Sequence, residues 1–209
     1  YEIRTILFHG MKDMYEDKND VFYYLTLGNE NYMHPEMPKG VEEGIIKGLY
    51  KFNASNHKQK KKVHILASGS IMKIALEAQE YLLEHYKIDV DIWSATNYKQ
   101  LRTEAIRCDR YNMLHPNETK KENYVEKTLK KEKGVFVAVS DNMRMVPDQI
   151  DKWVPGGLFT LGTDGFGRSD TRENLRRFFE IDKESIIVAC LYQLALNKDI
   201  KMNEVQKAI

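Results

Sequence analysis

The chain has 209 residues, 42% of them hydrophobic, enough to bury the core of one full domain with a further piece attached. Lys and Arg number 32 against 31 Asp and Glu, so a net charge of +1 gives no electrostatic reason to expect a nucleic acid or an anionic membrane as partner. The longest apolar runs fall far short of a bilayer span, and no signal-peptide pattern opens these residues.

The first stretch, "YEIRTILFHGMKDMY", places Ile3, Ile6, Leu7, Met11 and Met14 at helical spacing and predicts a helix over 3–17. A sequence that opens on Tyr1 inside an amphipathic pattern reads as a piece of a longer polypeptide. "VFYYLTL" (21–27) predicts a strand, and Pro35 and Pro38 keep the following 28–39 stretch irregular. Residues 40–52 divide into a short helical half and an extended half. The lysine-rich 53–62 segment reads as a solvated loop.

From residue 63 the pattern becomes regular. "VHILAS" (63–68), "VDIWSA" (90–95) and "GVFVAVS" (134–140) predict strands, and "LFTLGTDGFG" (158–167) a fourth with a Gly-rich exit. Helices are expected over 70–86, 97–113, the "DNMRMVPDQIDKWV" stretch, "SDTRENLRRFFEI" and "DKESIIVACLYQLALNKD", the last with Asp182 as N-cap. Short continuous apolar strands alternating with long helices predict an α/β fold: three layers, a mostly parallel sheet with helices on both faces. Residues 1–37 stand outside that unit as the end of a preceding domain, and 38–209 form the α/β domain. Cys108 and Cys190 have neither a CxxC partner nor metal-ligand spacing and are expected to be buried free thiols.

Ligands of parallel α/β sheets sit beyond the carboxyl ends of the strands, so the loops there are the candidate sites. "LASGS" (66–70) lacks the Lys-Ser/Thr pair of a phosphate loop and reads as a tight turn capped by Ser68 or Ser70. "GTDGFGRSD" (162–170) offers flexible backbone, the charge of Arg168, and Asp170 with Glu173 to cap the next helix; a subunit contact there stays open. His115, before Pro116 in "RCDRYNMLHP", reads mainly as a helix end. "NENYMHPEMP" (29–38) differs, because Glu30 and His34 stand four residues apart in a proline-stiffened loop. An imidazole titrates in the range useful for proton transfer, and a nearby carboxylate can orient it. Spacing alone leaves a polar exit loop and half of an active site equally open.

Three stretches, "NENYMHPEMPKGVEEGIIKGLYKF", "RCDRYNMLHP" and "LGTDGFGRSDTRENLRRFFEID", resemble the C-terminal end of the homodimeric E1 component of bacterial pyruvate dehydrogenase complexes. The likeness covers essentially the whole chain; transketolases share the architecture but not this wording. It implies a transketolase C-terminal-like domain at 38–209, preceded at 1–37 by the last helix, strand and active-site loop of the domain that packs on the cofactor's pyrimidine ring.

The same resemblance implies a cytoplasmic enzyme that decarboxylates pyruvate on thiamine diphosphate and Mg²⁺ and passes the acetyl unit to a lipoyl group of E2. It places Glu30 and His34 at the active centre, His34 as proton donor or hydrogen-bonding group and Glu30 as the group that shapes and charges that network. The GDG…N segment that would carry Mg²⁺ does not occur in residues 1–209. The isolated chain is therefore expected neither to hold thiamine diphosphate tightly nor to act on pyruvate.

Overall fold

A computed structural model describes every residue except Asn29, Glu30 and Tyr32. The elements in order are α1 (Glu2–Met11), α2 (Glu42–Lys47), β1 (Tyr50–Asn53), β2 (Lys62–Ala67), α3 (Ile71–Tyr86), β3 (Asp89–Ser94), α4 (Tyr98–Leu114) and α5 (Tyr124–Leu129). They continue with β4 (Val135–Val139), α6 (Met145–Asp148), β5 (Leu158–Leu161), α7 (Arg172–Phe178), α8 (Lys183–Leu196) and α9 (Met202–Gln206).

Five strands form one sheet in the order β1-β3-β2-β4-β5, parallel except for β1, which runs antiparallel along β3. Each strand alternates between two cores. Val63, Ile65, Ala67, Val90, Ile92, Val137 and Val139 face α3 and α8, where Ile71, Ala75, Ala78, Leu82, Ile186, Cys190 and Leu194 close the layer. Leu66, Trp93, Phe136 and Ala138 face the other way, onto Tyr98, Leu101 and Ala105 of α4, Val125 and Leu129 of α5, and Ile150 and Trp153. The three-layer α/β arrangement is as the strand and helix pattern predicts.

Local differences have local causes. Residues 21–27 carry strand-prone side chains but pair with no described strand; Phe22 and Tyr24 are exposed, and a ladder needs a partner. Tyr23 folds back instead, its ring against Gly10 and its hydroxyl donating to Asp13 at 3.1 Å. The first helix changes at Lys12 to a π-helical turn, Lys12–Glu16. The helix expected after Asn142 is broken: α6 spans one turn, Asp151–Trp153 is a 3₁₀ turn, and Asp151 accepts the Leu158 backbone N–H at 2.6 Å, which starts β5. Asp182 caps α8 as expected, accepting from the Ser185 N–H at 3.0 Å. Of the two thiols Cys190 is buried, and Cys108 is only half-buried.

One glycine is fixed by the sheet. Gly134 enters β4 with φ +125°, and a Cβ there would run into the carbonyl of Lys62 on the neighbouring strand. Gly134→Ala is expected to destabilise the fold by about 2 kcal/mol or more, through a strained dihedral plus a backbone clash. Urea unfolding measures this, and a loss within about 0.5 kcal/mol would show that the turn can relax.

Candidate functional site

The carboxyl ends of β2, β4 and β5 carry three loops that bond to one another. Ser70 Oγ, at the start of α3, donates to Asp141 Oδ2 at 3.2 Å, joining the loops on either side of the point where the chain's crossovers change direction. Thr163 Oγ1 donates to the Asp141 carbonyl at 2.9 Å, and the Arg144 N–H donates to Asp164 Oδ1 at 3.0 Å. Ser70 thus ties loops together and does not cap α3 with its side chain, correcting the expected turn chemistry. Thr171 caps α7, accepting from the Asn174 N–H, while Asp170 accepts from the Thr171 N–H and the Asn174 amide.

The chain's first helix reaches this same edge. Glu2 Oε1 accepts hydrogen bonds from Tyr50 Oη at 2.7 Å and from Ser94 Oγ at 2.5 Å, the residues paired at the ends of β1 and β3. Tyr1 Oη lies 2.7 Å from Tyr50 Oη. The polypeptide leading to His34 is therefore anchored on the sheet end where ligands of such folds bind. His34 itself is exposed, in the stretch returning to α2. Glu30 lies outside the described residues.

His115 stands at a helix end, as its place before Pro116 predicts. It ends α4, its Nδ1–H donates to the Tyr111 carbonyl at 2.8 Å, and its ring stacks on Tyr111 with centroids 4.0 Å apart. Near it, a surface groove of about 860 Å³ runs between α4 and α5, lined by Glu104, Cys108 and four lysines, two of them paired with Glu122 and Glu126.

Sequence reasoning missed a buried polar cluster at the opposite, amino end of the sheet. Pairing of β2 with β3 sets His64 beside Asp91, and Lys51, Lys62 and Glu132 converge on them. His64 Nε2–H donates to the Lys133 carbonyl at 3.1 Å, and its Nδ1 accepts the indole N–H of Trp93 at 3.2 Å. These bonds fix one neutral tautomer. The His64, Asp91 and Glu132 donor atoms lie within 4.8 Å of one another, a spacing that suits a metal ion. Yet Lys51 Nζ already sits 3.0 Å from Asp91 and 2.8 Å from Glu132, and the Nδ1 lone pair is engaged by Trp93. The cluster is a structural ion network with an ammonium where a cation would go. Its signal in the sequence was charge in otherwise apolar strands: His64 within "VHILA", Asp89 and Asp91 within "DVDIW".

Burial depresses the His64 pKa below its ordinary 6.5, against the pull of the Lys133 carbonyl and Asp91. Burial opposes the Asp91 charge, but Lys62, the Ser55 N–H and Lys51 outweigh it and hold that carboxyl below its ordinary 3.8. In the unfolded chain His64 takes up a proton near pH 6.5 that the folded chain refuses, so stability falls as pH drops below that value. Asp91 adds its own loss below about pH 3.8. His64→Gln is expected to lower stability at pH 8 by about 1–2 kcal/mol and to flatten the slope between pH 6.5 and 5. Urea titrations across that range decide; an unchanged slope in the variant would assign the acid sensitivity elsewhere.

Comparison with known proteins gives matches along the chain. Residues 48–182, well over half of it, match the transketolase-like C-terminal domain, and residues 1–35 match the pyruvate dehydrogenase E1 component middle domain. The chain is 41% identical over its whole length to a pyruvate dehydrogenase E1 component of Pseudomonas aeruginosa and 42% identical to that of Escherichia coli, covering 24% and 23% of those proteins. It thus spans about a quarter of the length of the curated relatives it matches. A transketolase structure from Pichia stipitis superposes on 79% of the chain with TM-score 0.52, and one from Leishmania mexicana on 73% with TM-score 0.50. These cover 20% and 18% of the transketolases, and at 20% identity both speak for the fold alone.

Proposed function

Because the chain belongs to the family of transketolase-like C-terminal domains, and matches pyruvate dehydrogenase E1 components from end to end, we propose that it works as the C-terminal part of such a component. The observation that carries this is the succession of two domain matches, middle domain then C-terminal domain, within one alignment of 41% identity over the whole chain. The enzyme in this reading is a cytoplasmic homodimer that decarboxylates pyruvate and delivers the acetyl unit to a lipoyl group of E2. Residues 1–37 are the end of its pyrimidine-binding domain and 38–209 its third domain. The anchoring of α1 on Tyr50 and Ser94 supports a fixed join between them.

The described residues do not fit thiamine diphosphate or Mg²⁺. Among the described residues the one grouping with metal-like spacing is filled by Lys51, and two of the four lysines of the α4–α5 groove are neutralised by Glu122 and Glu126. In this reading the cofactor and its metal are held by parts of the enzyme beyond these residues. The chain supplies one wall: His34 donates a proton or hydrogen bond to the substrate-derived oxygen, and Glu30 sets the charge and orientation of that network.

In the complete polypeptide, His34→Ala is expected to lower kcat for pyruvate decarboxylation by about 10²-fold, with the circular dichroism spectrum unchanged. A loss of no more than about threefold would remove His34 from the reaction. Isothermal calorimetry on the 209-residue chain alone is expected to register no tight thiamine diphosphate binding. Tight binding would mean that these residues build the cofactor site after all.

A further inference from the structure

The loop after β5 has a shape its own domain does not explain. Gly165, at φ +91°, and Gly167 flank Phe166, and no atom lies within 4 Å of a Cβ built on either glycine. Phe166 is 97% exposed at the tip. Placing a phenyl ring in water forfeits roughly 1.5–3 kcal/mol that burial would return. Beside it lies an open hollow of about 490 Å³, lined by Asp164, Arg168 and Phe178 together with the loop itself. The Arg168 guanidinium stacks over the Phe178 ring at 4.2 Å, and Phe178 remains 54% exposed. Met143 and Met145, on either side of the Arg144 whose N–H is tied to Asp164, are exposed as well.

We propose that this loop is a contact between two copies of the chain, in which Phe166 of each copy enters the hollow against Arg168 and Phe178 of the other. A protruding ring next to a ring-lined hollow on one surface is self-complementary, as a two-fold interface requires. The charges point the same way. Asp164, already paired with Arg144 at 3.4 Å, Arg168 and Asp170 fall within seven residues, so the surface is mixed in sign and suits a second mixed surface, whereas a strongly acidic or basic partner would meet a like charge. An inserted phenyl would also lie against the Arg168–Phe178 stack, in the geometry aromatic and guanidinium groups favour. The loop is too small to bury the roughly 1,200–2,000 Å² of a stable interface, so it forms one part of a larger dimer face. The identity of the occupant rests on the reading of the chain as part of a homodimeric enzyme.

The test replaces Phe166 with the photoreactive analogue p-benzoylphenylalanine in the complete polypeptide, followed by irradiation of the purified dimer. The expected product has twice the subunit mass on a denaturing gel, and peptide mapping places the bond within residues 164–179 of the second copy. Cross-links confined to one chain, to another site or to another protein would overturn the proposal. If the bulky analogue itself blocks association, Phe166→Ala decides: a dissociation constant for the dimer raised by about tenfold or more supports the contact, and an unchanged one removes it. Sedimentation and pyruvate turnover of the unmodified protein are measured alongside. A protein that dimerises and turns over without the cross-link sinks only this contact, and one that does neither sinks the enzymatic reading.

Discussion

Asp91 gathers the amino end of the sheet. Its carboxylate, buried in β3, accepts from Lys62 Nζ and from the Ser55 backbone N–H at 2.8 Å, with Lys51 Nζ at 3.0 Å. A lone carboxylate in that position would cost several kcal/mol in lost hydration, and removing one partner of such a group typically costs about 3–5 kcal/mol. The three partners come from three places: the edge strand β1, the irregular 54–61 loop and the head of β2. Asp89 repeats the arrangement one pleat away, accepting from Ser55 Oγ and the Gln59 N–H. Lys51 then carries the network on to Glu132, just before β4. The long polar loop is thereby fastened without any apolar side chain to bury, and strands distant in sequence are held in register.

With ionic ties concentrated at that end, the carboxyl end is built differently. There the loops bond through hydroxyls, backbone groups and the exposed Arg144–Asp164 pair, and the first helix is fastened by the Glu2 carboxylate and the Tyr1 hydroxyl. This division of labour suits an enzyme part. A permanent charge network stabilises one edge of the sheet, while the edge nearest the proposed chemistry keeps short polar contacts and exposed loops.

The parts legible in the sequence were those governed by local periodicity. Ile71, Ile74, Ala75, Ala78 and Leu82 mark the buried face of α3, and all five are buried. Helix α5 was too short for periodicity to reveal; its signal is the reciprocal cap between Asn123 and Glu126. Residues 21–27 show the opposite failure, since strand propensity cannot supply a ladder partner. The cluster around His64 stayed hidden because the adjacency of His64 and Asp91 exists only in the register between two strands. His34 and Glu30 were singled out by residue type and spacing, but the argument for their role came from the resemblance. Nothing about an exposed imidazole in a proline-rich stretch separates catalysis from solvation on physical grounds alone.

The bulge in β1 has a consequence for crowding. Tyr50 and Lys51 pair regularly with β3, but the register slips before Asn53, and the strand ends there. At the other margin β5 offers only four residues before the chain turns at Gly162. Neither border gives a long, flat row of free N–H and C=O groups on which a foreign strand could grow. Copies held close together can touch through side chains without their sheets fusing into a continuous cross-β stack.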